Sequence, residues 1–145
     1  MSEQLDDATF LLVDDDQISI LSLQRAMRKL AIANRTLVAH DGQEALDILE
    51  TEADSAGGSL PPFIVALDIN MPRMNGIEFL DALRRKPELK NIVVFPFASN
   101  GKIRDALAPY RPHVAGHLCK DNPRESLFAA LSKLGGGPAS QQAIA

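Results

Sequence analysis

With 145 residues, 46% of them apolar and 23% charged, the chain is long enough to bury a core without staples and too short for two domains of ordinary size. Its formal net charge of -4 argues against direct contact with nucleic acid, and its single cysteine excludes an internal disulfide framework or a cysteine-rich zinc site. No apolar run approaches the roughly 20 residues that cross a bilayer, and the acidic N-terminus lacks the regions of a signal peptide, so a cytoplasmic protein with no membrane insertion is expected.

Apolar strand-like runs alternate five times with helical patterns. The first strand is predicted over Thr9 to Val13. A helix follows from Ile18 to Ala31, with Ile18, Leu21, Met27 and Leu30 near helical spacing. Thr36 to Ala39 is a short second strand. Asp41 is set to cap the next helix, with Glu44 three residues on and an apolar face of Ala45, Leu46, Ile48 and Leu49. Ala53 to Pro62 reads as a surface loop of small residues, glycines and prolines. The third strand runs from Phe63 to Asp68. Asn75 caps a helix carrying Ile77, Phe79, Leu80 and Leu83, which Pro87 stops. Ile92 to Ala98 is the fourth strand despite Pro96, because Val93, Val94, Phe95 and Phe97 surround it. Lys102 to Ala108 is a short helix, and Val114 to Cys119 the fifth strand. Pro123 opens a last helix with Leu127, Phe128, Leu131 and Leu134. Residues 135–145 are expected to form a disordered tail.

The order is (βα)5, which implies an α/β fold with helices on both faces of a doubly wound parallel sheet. The flavodoxin-like strand order 2-1-3-4-5 puts strands one and three side by side at the switch point, where such sheets bind ligands. Three strands run directly into charge: the first into Asp14, Asp15 and Asp16, the third into Asp68, the fifth into Lys120. Two or three carboxylates and one ammonium would meet in one crevice. Asp16 reads as a helix cap and is left out of the acidic set.

The stretch Leu67-Asp68-Ile69-Asn70-Met71-Pro72-Arg73-Met74-Asn75-Gly76 resembles the signature around the phosphoacceptor aspartate of response regulator receiver domains. Asp68 lies 54 residues after Asp14 and 52 before Lys120, spacings that also resemble receivers. The resemblance covers about residues 9 to 134. It implies a receiver domain over residues 8–134, a short extension at 1–7, and a stand-alone regulator phosphorylated on Asp68 by a sensor histidine kinase or a histidine phosphotransfer protein. It implies Mg²⁺ or Mn²⁺ held by Asp14, Asp15, Asp68 and the backbone carbonyl of Asn70, with Lys120 on a phosphoryl oxygen. Slow autodephosphorylation is expected, but no conventional enzyme activity. Output would pass through protein contacts, with an unknown downstream protein, and a homodimer stays open. The wording is also similar to small receivers paired with bacterial phytochrome-type kinases.

Three departures from the receiver pattern stand out. The hydroxyl that follows the phosphoryl group would fall at Ala98 by ungapped counting, or at Ser99 after a one-residue slip, and Ser99 is favoured. His117 stands where a switch aromatic is usual. Asp121 follows Lys120 in place of proline. These motivate an alternative, a degenerate receiver that acts as a phosphorylation-independent interaction module. A haloacid dehalogenase-type phosphatase would need a carboxylate at position 70, which is asparagine.

Overall fold

The computed structural model describes residues 7–58, 62–68, 76–89, 92–98 and 117–134, with the side chains of 76, 77 and 88 excepted. In chain order it contains β1 (Thr9–Val13), α1 (Gln17–Lys29), β2 (Thr36–Ala39), α2 (Gly42–Ser55), β3 (Phe63–Asp68), α3 (Gly76–Arg84), a 3-10 turn (Pro87–Leu89), β4 (Ile92–Ala98), β5 (Leu118–Cys119) and α4 (Pro123–Leu134). The five strands form one parallel sheet in the order β2-β1-β3-β4-β5, as expected from the sequence. The expected helix over 102–108, the start of the fifth strand at 114–116 and the 135–145 tail lie outside the described residues.

Both faces of the sheet are covered, which is why β1 and β3 are buried along their whole length and read as unbroken apolar runs. Side chains alternate between the faces. Leu11, Val13, Val65 and Leu67 pack with Ala45, Leu46, Leu49, Phe79 and Leu80 of α2 and α3. Phe10, Leu12, Ile64, Ala66, Phe95 and Phe97 pack with Ile20, Leu23, Ala26, Leu127 and Leu131 of α1 and α4. Pro96 is tolerated because of the same alternation. The Ala98 carbonyl faces β5, where it accepts the Lys120 N–H at 2.9 Å. Pro96, two residues earlier, therefore turns its missing donor toward β5 and leaves the β3–β4 ladder intact.

The helix faces and ends differ in places from the sequence reading. Ile18 and Leu21 are 77% and 49% exposed, and Phe128 is 61% exposed. Met27 is buried and Leu30 packs against the core as expected, and the rest of the buried face of α1 is Ser19, Ile20, Leu23 and Ala26. The segment expected as loop from Ala53 is helical through Ser55. Ala56 caps that helix and Gly57 takes φ 84°, with Gly57 N–H donating to the Asp54 carbonyl and Gly58 N–H to Ala53, a paired C-terminal closure. Helix α3 ends at Arg84, short of Pro87, which opens the 3-10 turn.

Helix α1 ends at Lys29, two residues before the expected Ala31. It closes with the same bonds: Ala31 N–H to Arg28 and Ile32 N–H to Met27. Here the left-handed position is Ala31, at φ 59°, and its Cβ carries a steric cost that glycine avoids. Ala31→Gly should stabilise the fold by up to about 1 kcal/mol, and Gly57→Ala should destabilise it by a similar amount. Urea denaturation checks both. An unchanged or lower midpoint for Ala31→Gly would contradict the strain.

Candidate functional site

The face alternation that builds the core also builds the site. Asp14 follows Leu12 by two residues, Asp68 follows Ala66, and Lys120 follows Leu118. All three preceding residues sit on the α1/α4 face, so the charged groups emerge on that side at the carboxyl edge of the sheet. Backbone bonds carry the ladders one step further to fix them. Asp14 N–H donates to the Ala39 carbonyl at 3.0 Å, and Lys120 N–H to Ala98.

One carboxylate oxygen from each of Asp14, Asp15 and Asp68 lies within 4.8 Å of the other two. Asp14 is 1% exposed and Asp68 6%, whereas Asp15 is exposed. Lys120 Nζ stands 3.1 Å from Asp14 Oδ2 and 3.5 Å from Asp68 Oδ1, and 5.3 Å from the centre of the Phe97 ring. Burial opposes the charged form of Lys120, but Asp14 and then Asp68 outweigh it and hold the ammonium above the ordinary lysine range.

Asp16 orders this corner without joining the cluster. Its N–H donates to Asp14 Oδ1 at 2.9 Å, which fixes the buried carboxylate. Its own carboxylate is occupied, with Oδ1 accepting from Ile18 N–H and Oδ2 from the Ser19 hydroxyl, so it caps α1 as the sequence suggested. The Ser19 hydroxyl keeps the Asp16 carboxyl below the usual aspartate range against the opposing effect of burial, with the Ile18 amide adding to the lowering.

The other end of the site is held by α4. Ser126 Oγ accepts from Cys119 N–H at 2.9 Å and donates to the Asn122 carbonyl, tying β5 to the first turn of the helix. His117, expected as a switch residue, is exposed just before β5. Ala98, one of two positions for the switch hydroxyl, packs its methyl against the α2/α3 core. Ser99 and Asn70 lie outside the described residues. Phe97 was missed as a site residue because an aromatic side chain within a strand reads as core. The only available signal was its place beside the end of the strand that pairs with Asp68.

The donor set fits a hard divalent cation. Three carboxylates converge, and Asp14 Oδ2 is buried without an aligned hydrogen bond, since the nearby ammonium supplies charge off the bonding direction. No described helix is long and apolar enough to cross a membrane.

The family model for the response regulator receiver domain matches residues 10–132. The nitrate/nitrite response regulator protein NarL of Escherichia coli (strain K12) is 31% identical over 137 residues, which is 94% of this chain and 58% of NarL. Response regulator Rcp1 of Synechocystis is 28% identical over 118 residues, 81% of this chain and 80% of Rcp1. Its Mn²⁺-bound crystal structure covers 84% of this chain at a TM-score of 0.64 and 26% identity, with 87% of that chain covered. The bacteriophytochrome response regulator RtBRR is similar over 95% of this chain and 89% of its own, with a TM-score of 0.76 and 27% identity.

Replacing Lys120 by methionine keeps much of the stem and removes the charge beside a buried Asp14. We expect a loss of about 3 kcal/mol at neutral pH, the low end for a broken buried pair because the lysine keeps some solvent contact. A lysine held above its unfolded value stabilises fully below about pH 10.4 and loses that contribution as pH rises through the higher folded value. The stability gap between wild type and Lys120→Met should therefore narrow on the alkaline side. Denaturation at a series of pH values measures it, and a constant gap would contradict the pairing.

Proposed function

The chain belongs to the response regulator receiver domain family, and on that premise we propose that Asp68 accepts a phosphoryl group from a phosphohistidine. The observation that carries this reading is the meeting of Asp14, Asp15, Asp68 and Lys120 at one sheet edge. A carboxylate oxygen of Asp68 attacks phosphorus. The P–N bond to the imidazole breaks, its electron pair stays with the histidine nitrogen, and an acyl phosphate forms. Asp14 and Asp15 would hold Mg²⁺ or Mn²⁺ together with Asp68 and the Asn70 carbonyl, and the ion would supply the positive charge that lets an anionic phosphoryl group approach three carboxylates. The similar response regulator Rcp1 has an Mn²⁺-bound form, which supports a divalent ion as the cofactor. Lys120 then pairs with a phosphoryl oxygen as a point charge.

The donor is a sensor histidine kinase or a histidine phosphotransfer protein. The likeness to RtBRR supports a kinase of the bacteriophytochrome class. The receiver works in the cytoplasm and signals through protein contact, with slow self-dephosphorylation as its reset. Ser99 provides the switch hydroxyl, because Ala98 has no oxygen to offer, and His117 responds to the change. A second reading is favoured by Ala98 itself: a receiver whose relay has decayed and which binds its partner without phosphorylation.

In the presence of Mg²⁺, a phosphohistidine donor should label the wild type, and Asp68→Asn should take up no label. Asp15→Ala should lose more than the roughly tenfold typical of removing an outer-shell metal partner. Radiolabel transfer or intact-mass spectrometry checks this. Full labelling of Asp68→Asn would overturn the acceptor, and a folded wild type that no donor labels would favour the second reading.

A further inference from the structure

We propose that Phe97 is a positioning residue that seats the Lys120 ammonium against Asp14 and Asp68 and thereby sets the rate of phosphoryl transfer. The effect on transfer rests on the reading of Lys120 given above, whereas the seating itself does not.

The register places Phe97 beside both partners. It pairs with Asp68 on one side, and with Leu118, two residues before Lys120, on the other. Phe97 lies on the α1/α4 face, the face from which Asp14, Asp68 and Lys120 emerge. Its ring is 2% exposed, with the Lys120 ammonium 5.3 Å from its centre. The side chain of Lys120 is 22% exposed, so this cation meets the ring in a largely dry setting, where the attraction is strongest.

The last two described residues of β4 thus grip the lysine at both ends. Ala98 accepts its backbone N–H at 2.9 Å, and Phe97 receives its ammonium. A lysine is a compact charge on a flexible four-carbon stem, and attraction to two carboxylates does not alone fix where it stops. The ring narrows that choice. The residue after Lys120 is Asp121, so no proline ring stiffens the chain there. A leucine at position 97 would fill most of the volume but would lack the negative ring face.

Phe95 separates seating from packing. It lies two residues earlier on the same face of β4, is 0% exposed and stands one step further from the sheet edge. Both phenylalanines should cost stability when truncated, but only Phe97 should act through Lys120.

The test has two arms on the full chain. By NMR, the ε-methylene signals of Lys120, assigned by their loss in Lys120→Ala, should be ring-shifted in the wild type and in Phe97→Tyr, and unshifted in Phe97→Leu. Acetyl phosphate with saturating Mg²⁺ supplies the kinetic arm. Phe97→Leu should slow Asp68 phosphorylation about fivefold, with Phe97→Tyr and Phe95→Leu within about twofold of wild type. In a Lys120→Ala background Phe97→Leu should bring no further slowing. Unshifted methylenes in the wild type, or equal slowing by Phe97→Leu with and without Lys120, would overturn the proposal. A wild type that acetyl phosphate cannot label would instead overturn the functional reading, while the methylene shift still decides the seating.

Discussion

Everything at this sheet edge depends on one electrostatic constraint: three carboxylates share a space that one ammonium must make tolerable. Carboxylate oxygens no more than 4.8 Å apart repel by roughly 3 kcal/mol or more per ionised pair at an effective dielectric of about 20. Asp14 is the severe case, because it is almost fully buried and one of its oxygens lacks an aligned hydrogen bond. Lys120 offsets that cost from 3.1 Å and reaches Asp68 at 3.5 Å. Its own burial penalty is overcome by the same two carboxylates. The fold therefore holds a concentration of negative charge that is only partly neutralised, which is what a cation-dependent reaction with an anionic group requires.

The core and the site come from one geometric rule. Strand residues alternate between faces, and the α1/α4 face takes Phe10, Leu12, Ile64, Ala66, Phe97 and Leu118. Stepping two residues beyond Leu12, Ala66 and Leu118 gives Asp14, Asp68 and Lys120. Shifting any of these strands by one residue would turn its charged end toward the α2/α3 side and exchange the residues packed on the two faces. The hydrophobic pattern thus keeps the register, and the register aims the chemistry. Capping finishes the job locally, since Asp16 secures α1 with its side chain and Asp14 with its amide.

Much of this was legible in the sequence, for reasons that differ by element. The strands Thr9–Val13 and Phe63–Asp68 have the expected ends because a parallel strand buried on both faces is a continuous apolar run with polar borders, and the less buried Thr36–Ala39 and Ile92–Ala98 also end where expected. The charged residues at strand ends were visible for the same reason. Helix ends were harder. The stop after Lys29 uses Ala31 where glycine would have announced it, and Ala53, Asp54 and Ser55 look like loop residues yet extend α2 to its glycine closure. Helix faces also slipped, because Ile18, Leu21 and Phe128 are apolar but exposed. Phe97 escaped notice because its contact with Lys120 arises from pairing between β3, β4 and β5, which no local pattern encodes.

The most direct measurement of the central claim is paramagnetic broadening by substoichiometric Mn²⁺ in an NMR spectrum of the unphosphorylated protein. The account predicts that amide signals of Asp14, Asp15, Asp68 and Lys120 fade first, while those of Thr9, Thr36, Phe63 and Ile92 at the opposite edge of the sheet persist. Uniform broadening, or broadening centred away from the carboxyl ends of β1 and β3, would contradict a metal-dependent phosphoacceptor site there.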